Sequence, residues 1–203
     1  MKNSILALLA VAAMVACKKN ETTAVDQSSD SAAVVAPVDS AMGVNDSTAM
    51  TDTTGAANSL SEQDKKFADA AAMGGTMEVM MGELAAGNGN NAAVKALGEM
   101  MVKDHGKAND ELKKWASAVG YTLPTGLDAE KQKEYDNLKA KKGAEFDRAY
   151  TDLMVKDHQK DIAEFKKQAA EGTEASLKSF ASKTLPTLEH HLMESEKAKN
   201  AVK

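Results

Sequence analysis

The chain has 203 residues, a formal net charge of −5 at pH 7, one cysteine, four histidines, twelve methionines and 4% aromatic residues. That length allows one domain of ordinary size plus an accessory segment. A lone cysteine excludes a disulfide within the monomer, so the fold rests on packing alone. Interleaved charges of both signs exclude a nucleic-acid patch, and the basic "KAKK" at 139–142 is too short and too near acidic residues to change this.

The first residues do not belong to the fold. Lys2 precedes an apolar run from Ile5 to Ala16 with the charged start, short apolar middle and small-residue end of a secretory signal. The run is too short to span a bilayer. "MVAC", ending at Cys17, resembles a bacterial lipobox with Met14 in place of the usual leucine. The resemblance implies that residues 1–16 are a lipoprotein signal peptide and that Cys17 is lipidated. Lipidation also accounts for an odd cysteine in an exported chain. The partner so implied is a membrane, reached through the N-terminal lipid. The expected location is the bacterial cell envelope, at the outer membrane, facing the periplasm or the cell surface; "CKKNE" loosely resembles the charged stretch that some bacteria use for surface export. Onward from Cys17, residues 17–60 are rich in Ser, Thr, Ala and Asp, with no aromatic residue and no Lys or Arg beyond Lys19. Such a segment buries too little apolar surface to offset the entropy of ordering it, and reads as a disordered tether.

Residues 61–203 hold every aromatic and every histidine, and read as helical throughout. Ser61 with Asp64 forms a near capping box, and "GNGN" at 87–90 is a helix stop followed by a new N-cap. Gly120 and Pro124 close a second helix, Asp128 caps a third, "KKG" at 141–143 interrupts, and "EGT" at 171–173 separates the last. The expected helices span 62–86, 91–118, 129–140, 144–170 and 174–201, the third short and in a connection long enough to be a crossover. No segment shows the period-two alternation of a strand.

The apolar spacing orients these helices. In the second, Val94, Gly98, Met101, His105, Ala108, Leu112, Trp115 and Val119 make one stripe; in the fourth, Phe146, Tyr150, Met154, His158, Ile162, Phe165 and Ala169 repeat it. Both contain "MVKDH", at 101–105 and 154–158, so they read as equivalent halves of an antiparallel bundle, each sending one histidine inward. The first helix offers Ala70, Met73, Met77, Met80 or Met81, and Leu84, with Glu78 beside the seam. The last offers Leu177, Phe180, Thr184, Leu188, His191 or Leu192, and Ser195, with a bend expected at Pro186. The fold class is all-α, a four-helix bundle with one extra short helix.

Four stretches carry a family resemblance: "FADAAAMGGTMEVMMGELAA", "VKALGEMMVKDHGKANDEL", "GAEFDRAYTDLMVKDHQKDIAEF" and "LKSFASKTLPTLEHHL". From about Asp64 to Met193 the chain resembles the exported ferritin-like family catalogued as domain of unknown function 4142. The resemblance implies a ferritin-like four-helix fold and no established activity.

Chemistry is therefore read from the side chains. No phosphate loop, zinc spacing or nucleophile motif is present, so no catalytic residue is indicated. A ferritin-type di-iron site needs Glu three residues before His on two helices. Val102 and Val155 stand there instead, and His191 with Glu194 gives the reverse order. A softer site fits better: Met101 with His105, and Met154 with His158, stand four apart on one face, with Met73, Met77 and Met81 nearby, a set suited to Cu(I). The candidate metal ligands are Glu78, Met101, His105, Met154, His158, His190, His191 and Glu194. Methionine stripes are also ordinary core filler. Buried histidines need partners on both ring nitrogens, so Asp104 and Asp157, each reaching a neighbouring helix, with Glu78 or Glu194, would build a polar layer that sets register. The residues favour a non-enzymatic envelope lipoprotein serving as a structural or interaction module, with an envelope protein or a second copy as partner. The alternative is a metal-binding or metal-buffering protein, with copper favoured over di-iron.

Overall fold

The computed structural model describes residues 59–203; the expected signal segment, Cys17 and the expected tether up to residue 58 lie outside the described residues, and Leu60, given to the tether, is buried in the core instead. Five helices are found there: α1 (Glu62–Asn88), α2 (Ala92–Val119), α3 (Ala129–Lys139), α4 (Gly143–Glu171) and α5 (Ala175–Ala201). Every boundary falls within two residues of the expected one, because the capping residues act as the sequence suggests. Ser61 Oγ accepts from Asp64 N, Asn91 Oδ1 from Ala93 N and Asp128 Oδ1 from Lys131 N. Gly120 closes α2 at φ 70°, a left-handed conformation that suits glycine. α5 remains helical through the exposed Pro186. No strand occurs among the described residues, and no helix there is long and apolar enough to cross a membrane.

The packing is that of two hairpins. α1 lies on α2 and α4 on α5, and the hairpins join through α2 against α5 and α1 against α4. Chain direction follows from contacts at the ends. Asp64, opening α1, meets Gln168 and Thr173 at the close of α4; Trp115, near the end of α2, meets Glu174 at the start of α5; and Asn91, before α2, donates to Ala201 O. Each of these pairs is therefore antiparallel, and α2 and α4 run parallel at opposite corners. The two "MVKDH" helices are thus diagonal and parallel to each other within an otherwise antiparallel bundle. Parallel consecutive long helices require a crossover, and α3, which packs on α1 and α4, lies within it.

The core is split in two by a polar layer. Phe67, Leu112, Trp115, Ile162, Phe165 and Leu177 fill one half, and Met77, Met81, Val94, Met101, Phe146, Tyr150 and Met154 fill the other. On α2, α4 and α5, His105, His158 and His191 stand between the residues of the two halves. Of the stripe expected on α1, Met77 and Met81 are buried, while Ala70, Met73, Met80 and Leu84 are half-buried; the buried face also takes in Phe67, Ala68, Ala72, Gly75, Glu78, Gly82 and Ala85. Small residues form this face because α1 and α2 cross closely: a Cβ on Gly98 would lie 2.6 Å from Gly82 O, and one on Gly82 would lie 2.8 Å from Gly98 O. Backbone blocks both positions, so Gly98→Ala should destabilise the domain by about 1–3 kcal/mol despite alanine's better helix propensity. Chemical denaturation checks this; unchanged or increased stability would refute the close crossing.

Asp64 ties one end of the bundle together. Fully buried, its carboxylate accepts from Ser61 Oγ, Gln168 Nε2, Thr173 N, Thr173 Oγ1 and Glu174 N. Burial alone would raise its pKa; the hydrogen bonds from Thr173, Ser61 and Gln168 outweigh it and hold the carboxyl at about 2. A depressed carboxyl contributes stability above its unfolded pKa and loses it as pH falls through the folded one, here between about pH 4 and 2, for roughly 2 kcal/mol. The stability gap between wild type and Asp64→Asn should accordingly be widest near pH 5 and narrow as the pH is lowered towards 2. A gap independent of pH in denaturant titrations would rule this out.

Candidate metal centre

Each of the four long helices contributes one side chain to the polar layer: Glu78 from α1, His105 from α2, His158 from α4 and His191 from α5. All four are at most 5% exposed. The imidazoles meet edge to face or tilted, with ring centroids 5.0–5.5 Å apart. His105 Nε2 lies 3.4 Å from His158 Nε2, and His158 Nε2 lies 3.3 Å from His191 Nδ1.

The outer nitrogens determine what the inner ones carry. His158 Nδ1 lies 2.8 Å from Met154 O, a group that only accepts, so the proton is on Nδ1 and Nε2 is bare. His105 Nδ1 donates to Glu78 Oε2 at 3.0 Å, leaving Nε2 bare. His191 Nε2 donates to Asp104 Oδ2 at 3.1 Å, leaving Nδ1 bare. Three lone pairs therefore face one another, on atoms within 4.8 Å of one another. Protonation is a poor escape: burial, the largest influence on each ring, pulls all three pKa values down to about 4. Glu78 Oε1, 3.5 Å from His158 Nε2, is buried and has no hydrogen-bond partner. Burial pushes the Glu78 carboxyl up to about 7, with His158 opposing the rise. Protonated Glu78 can donate to His105 Nδ1 and reverse that ring; the lone pairs of His158 and His191 still face each other.

A cation at the focus satisfies the three lone pairs and the free carboxylate oxygen together. Metal-binding histidines generally give their other N–H to a carboxylate or a backbone carbonyl, which sets tautomer and ring orientation. Glu78, Met154 O and Asp104 occupy those outer positions. The donors fit a borderline transition ion held by imidazole and carboxylate.

The remaining sequence candidates divide differently. Met101 and Met154 are fully buried but pack with Met77, Met81, Phe146 and Tyr150; Met154 serves the centre through its backbone oxygen. No methionine sulfur belongs to the donor group, so the centre is harder than the expected thioether site. His190, about 100° around α5 from His191, is exposed, and Glu194 pairs with Lys197. Asp104 reaches across to α5 as expected of the polar layer. Asp157 does not join it: the crossover places α3 beside it, and Glu134, Lys131 and Lys156 are the charges it feels. Asp161, one turn beyond His158, was not among the sequence candidates. Its carboxyl is pushed up to about 8, chiefly by burial and then by Glu78. The three-residue step from His158 was the available signal, hidden because Asp161 follows its histidine instead of preceding it.

A solved structure, titled "Crystal structure of DUF305 fragment from Deinococcus radiodurans", is similar in fold, with a TM-score of 0.62 and 11% identity over 70% of this chain and 98% of that one. No curated protein matches the chain. The model of the family described as "Domain of unknown function (DUF4142)" matches residues 49–198, more than the stretch carrying the visible resemblance, and this chain belongs to that family.

Proposed function

We propose that this protein binds a transition-metal ion through His105 Nε2, His158 Nε2 and His191 Nδ1, with Glu78 Oε1 as a fourth donor. One observation carries the reading: three bare imidazole nitrogens face each other in a buried site where every outer nitrogen already has an acceptor. A purely structural polar layer would alternate donors with acceptors, because lone pairs in contact destabilise a core. Imidazole and carboxylate suit Zn(II) and Cu(II), and the general affinity order places Cu(II) tightest. The role proposed is metal binding or buffering rather than ferroxidase chemistry, since the paired Glu-x-x-His ligands are missing. The setting proposed is the bacterial envelope, with the domain tethered to a membrane through lipid on Cys17; the charged start, the apolar run and "MVAC" support this.

The purified full chain should take up one equivalent of Cu(II) or Zn(II). At a free ion concentration of about 100 Kd, binding stabilises by roughly 2.7 kcal/mol, or several degrees in Tm. His158→Ala should abolish both the uptake and the shift, His190→Ala should leave them intact, and Asp104→Ala, removing an outer partner, should weaken affinity about 10–100-fold. Absence of stoichiometric metal in wild type would return the layer to a purely structural role and direct attention to protein partners.

The anchor has its own test. Cys17→Ser should move the protein from the membrane fraction to the soluble one in cells that process lipoproteins. Unchanged fractionation would refute lipidation at that residue.

A further inference from the structure

Beside the histidines lies a cavity of about 30 Å³ whose walls include Glu78, His105, Asn109 and Asp161. A water molecule needs roughly 10–15 Å³ on this measure, so the space suits one or two small molecules and no larger ligand. It exists because α1 carries Gly74 and Gly75 at this level. Asn109 leans over Gly75, where a Cβ would lie 2.2 Å from Asn109 Oδ1. A cleft of about 330 Å³ between α2 and α5 reaches His105 and His191 from the surface and shares Ala108, Thr184 and Leu188 with the cavity. Glu78 Oε1 is buried and lacks a hydrogen-bond partner, and Asp161 borders the same cavity. Two carboxyl groups thus border one small cavity and offer hydrogen-bonding oxygens to a molecule held there.

We infer that the metal centre is open: an ion held by the three histidines and Glu78 Oε1 keeps one further, exchangeable coordination position facing this cavity, filled by a water molecule that donates to Asp161 and is reached through the cleft between α2 and α5. The inference rests on the metal-binding reading above and extends it. A closed structural site leaves no room beside its protein ligands, whereas a site that exchanges ligands keeps one position for water or a small molecule; the cavity beside Glu78 and His105 is such room. Here His105 lines both the cavity and the cleft, so solvent reaches one side of the centre, while His158 borders neither space. An open centre also gives an ion a way in and out, which buffering requires.

The test uses the full chain loaded with Cu(II). In ¹⁷O-enriched water, electron paramagnetic resonance should show hyperfine broadening from a metal-bound water. Ala108→Leu, which fills the junction of cleft and cavity, and Asp161→Leu, which fills the cavity from α4, should each remove the broadening while keeping one equivalent of Cu(II). Either variant suffices where the other does not fold. Loss of broadening in a variant that retains copper supports the open position. Wild-type protein that binds copper without broadening, or broadening that survives in both folded variants, overturns it. Failure of wild type to bind copper at all instead defeats the metal-binding reading itself, so the two failures are distinguishable.

Discussion

Everything at the centre of this bundle depends on where three protons sit. The backbone oxygen of Met154 and the carboxylates of Glu78 and Asp104 each take an N–H from one histidine, and each leaves that ring's other nitrogen bare. The bare atoms face inward because each long helix has only one rotation that keeps its apolar stripe in the core. A buried polar group without a partner costs free energy comparable to a lost hydrogen bond or more. The same side chains that divide the core in two therefore leave lone pairs facing one another between them, and the metal-binding proposal grows out of that hydrogen-bond accounting.

Precision at the centre is inherited from the ends of the bundle. Asp64 gathers donors from α4 and from the turn into α5, while Asp147 accepts the backbone N–H groups of Asn90 and Asn91 in the turn between α1 and α2. One carboxylate thus holds each end, and between them the helices are fixed along their axes. The close crossing at Gly82 and Gly98 sets the separation of α1 and α2, and so the reach of Glu78 to His105. The methionines fill the half of the core between the glycine crossing and the histidines, where unbranched side chains suit an irregular space.

Much of this was legible in the sequence, element by element. The caps Ser61, Asn91 and Asp128 and the glycine at 120 act locally, over three or four residues, and no tertiary contact overrides them. The stripes of α2, α4 and α5 are built of large apolar residues separated by charged ones, so their inward faces are clear. α1 was less clear because much of its buried face is Ala and Gly, which carry a weak hydrophobic signal, while half-buried Met73 and Met80 carry as strong a signal as the buried Met77 and Met81. Identifying His105 and His158 followed from the repeat of "MVKDH"; choosing His191 over His190 needed the packed helix, since adjacent positions on α5 differ by about 100°.

By itself the sequence determined the helices, the four-helix class, the two repeated histidines and the carboxylate on α1, because these depend on short-range spacing and composition. It also carries the signal-like start and Cys17, whose meaning is chemical rather than spatial. Only the tertiary structure decided that α2 and α4 are parallel and diagonal, since helix direction across the bundle depends on the crossover. It alone turned Asp157 away to α3, brought Asp104 to His191 and Asp161 to a cavity beside Glu78, and left the methionine sulfurs in the apolar core. These outcomes depend on distances between residues 50 to 100 positions apart, as with Asp104 and His191 at a separation of 87, and no local pattern encodes such a distance.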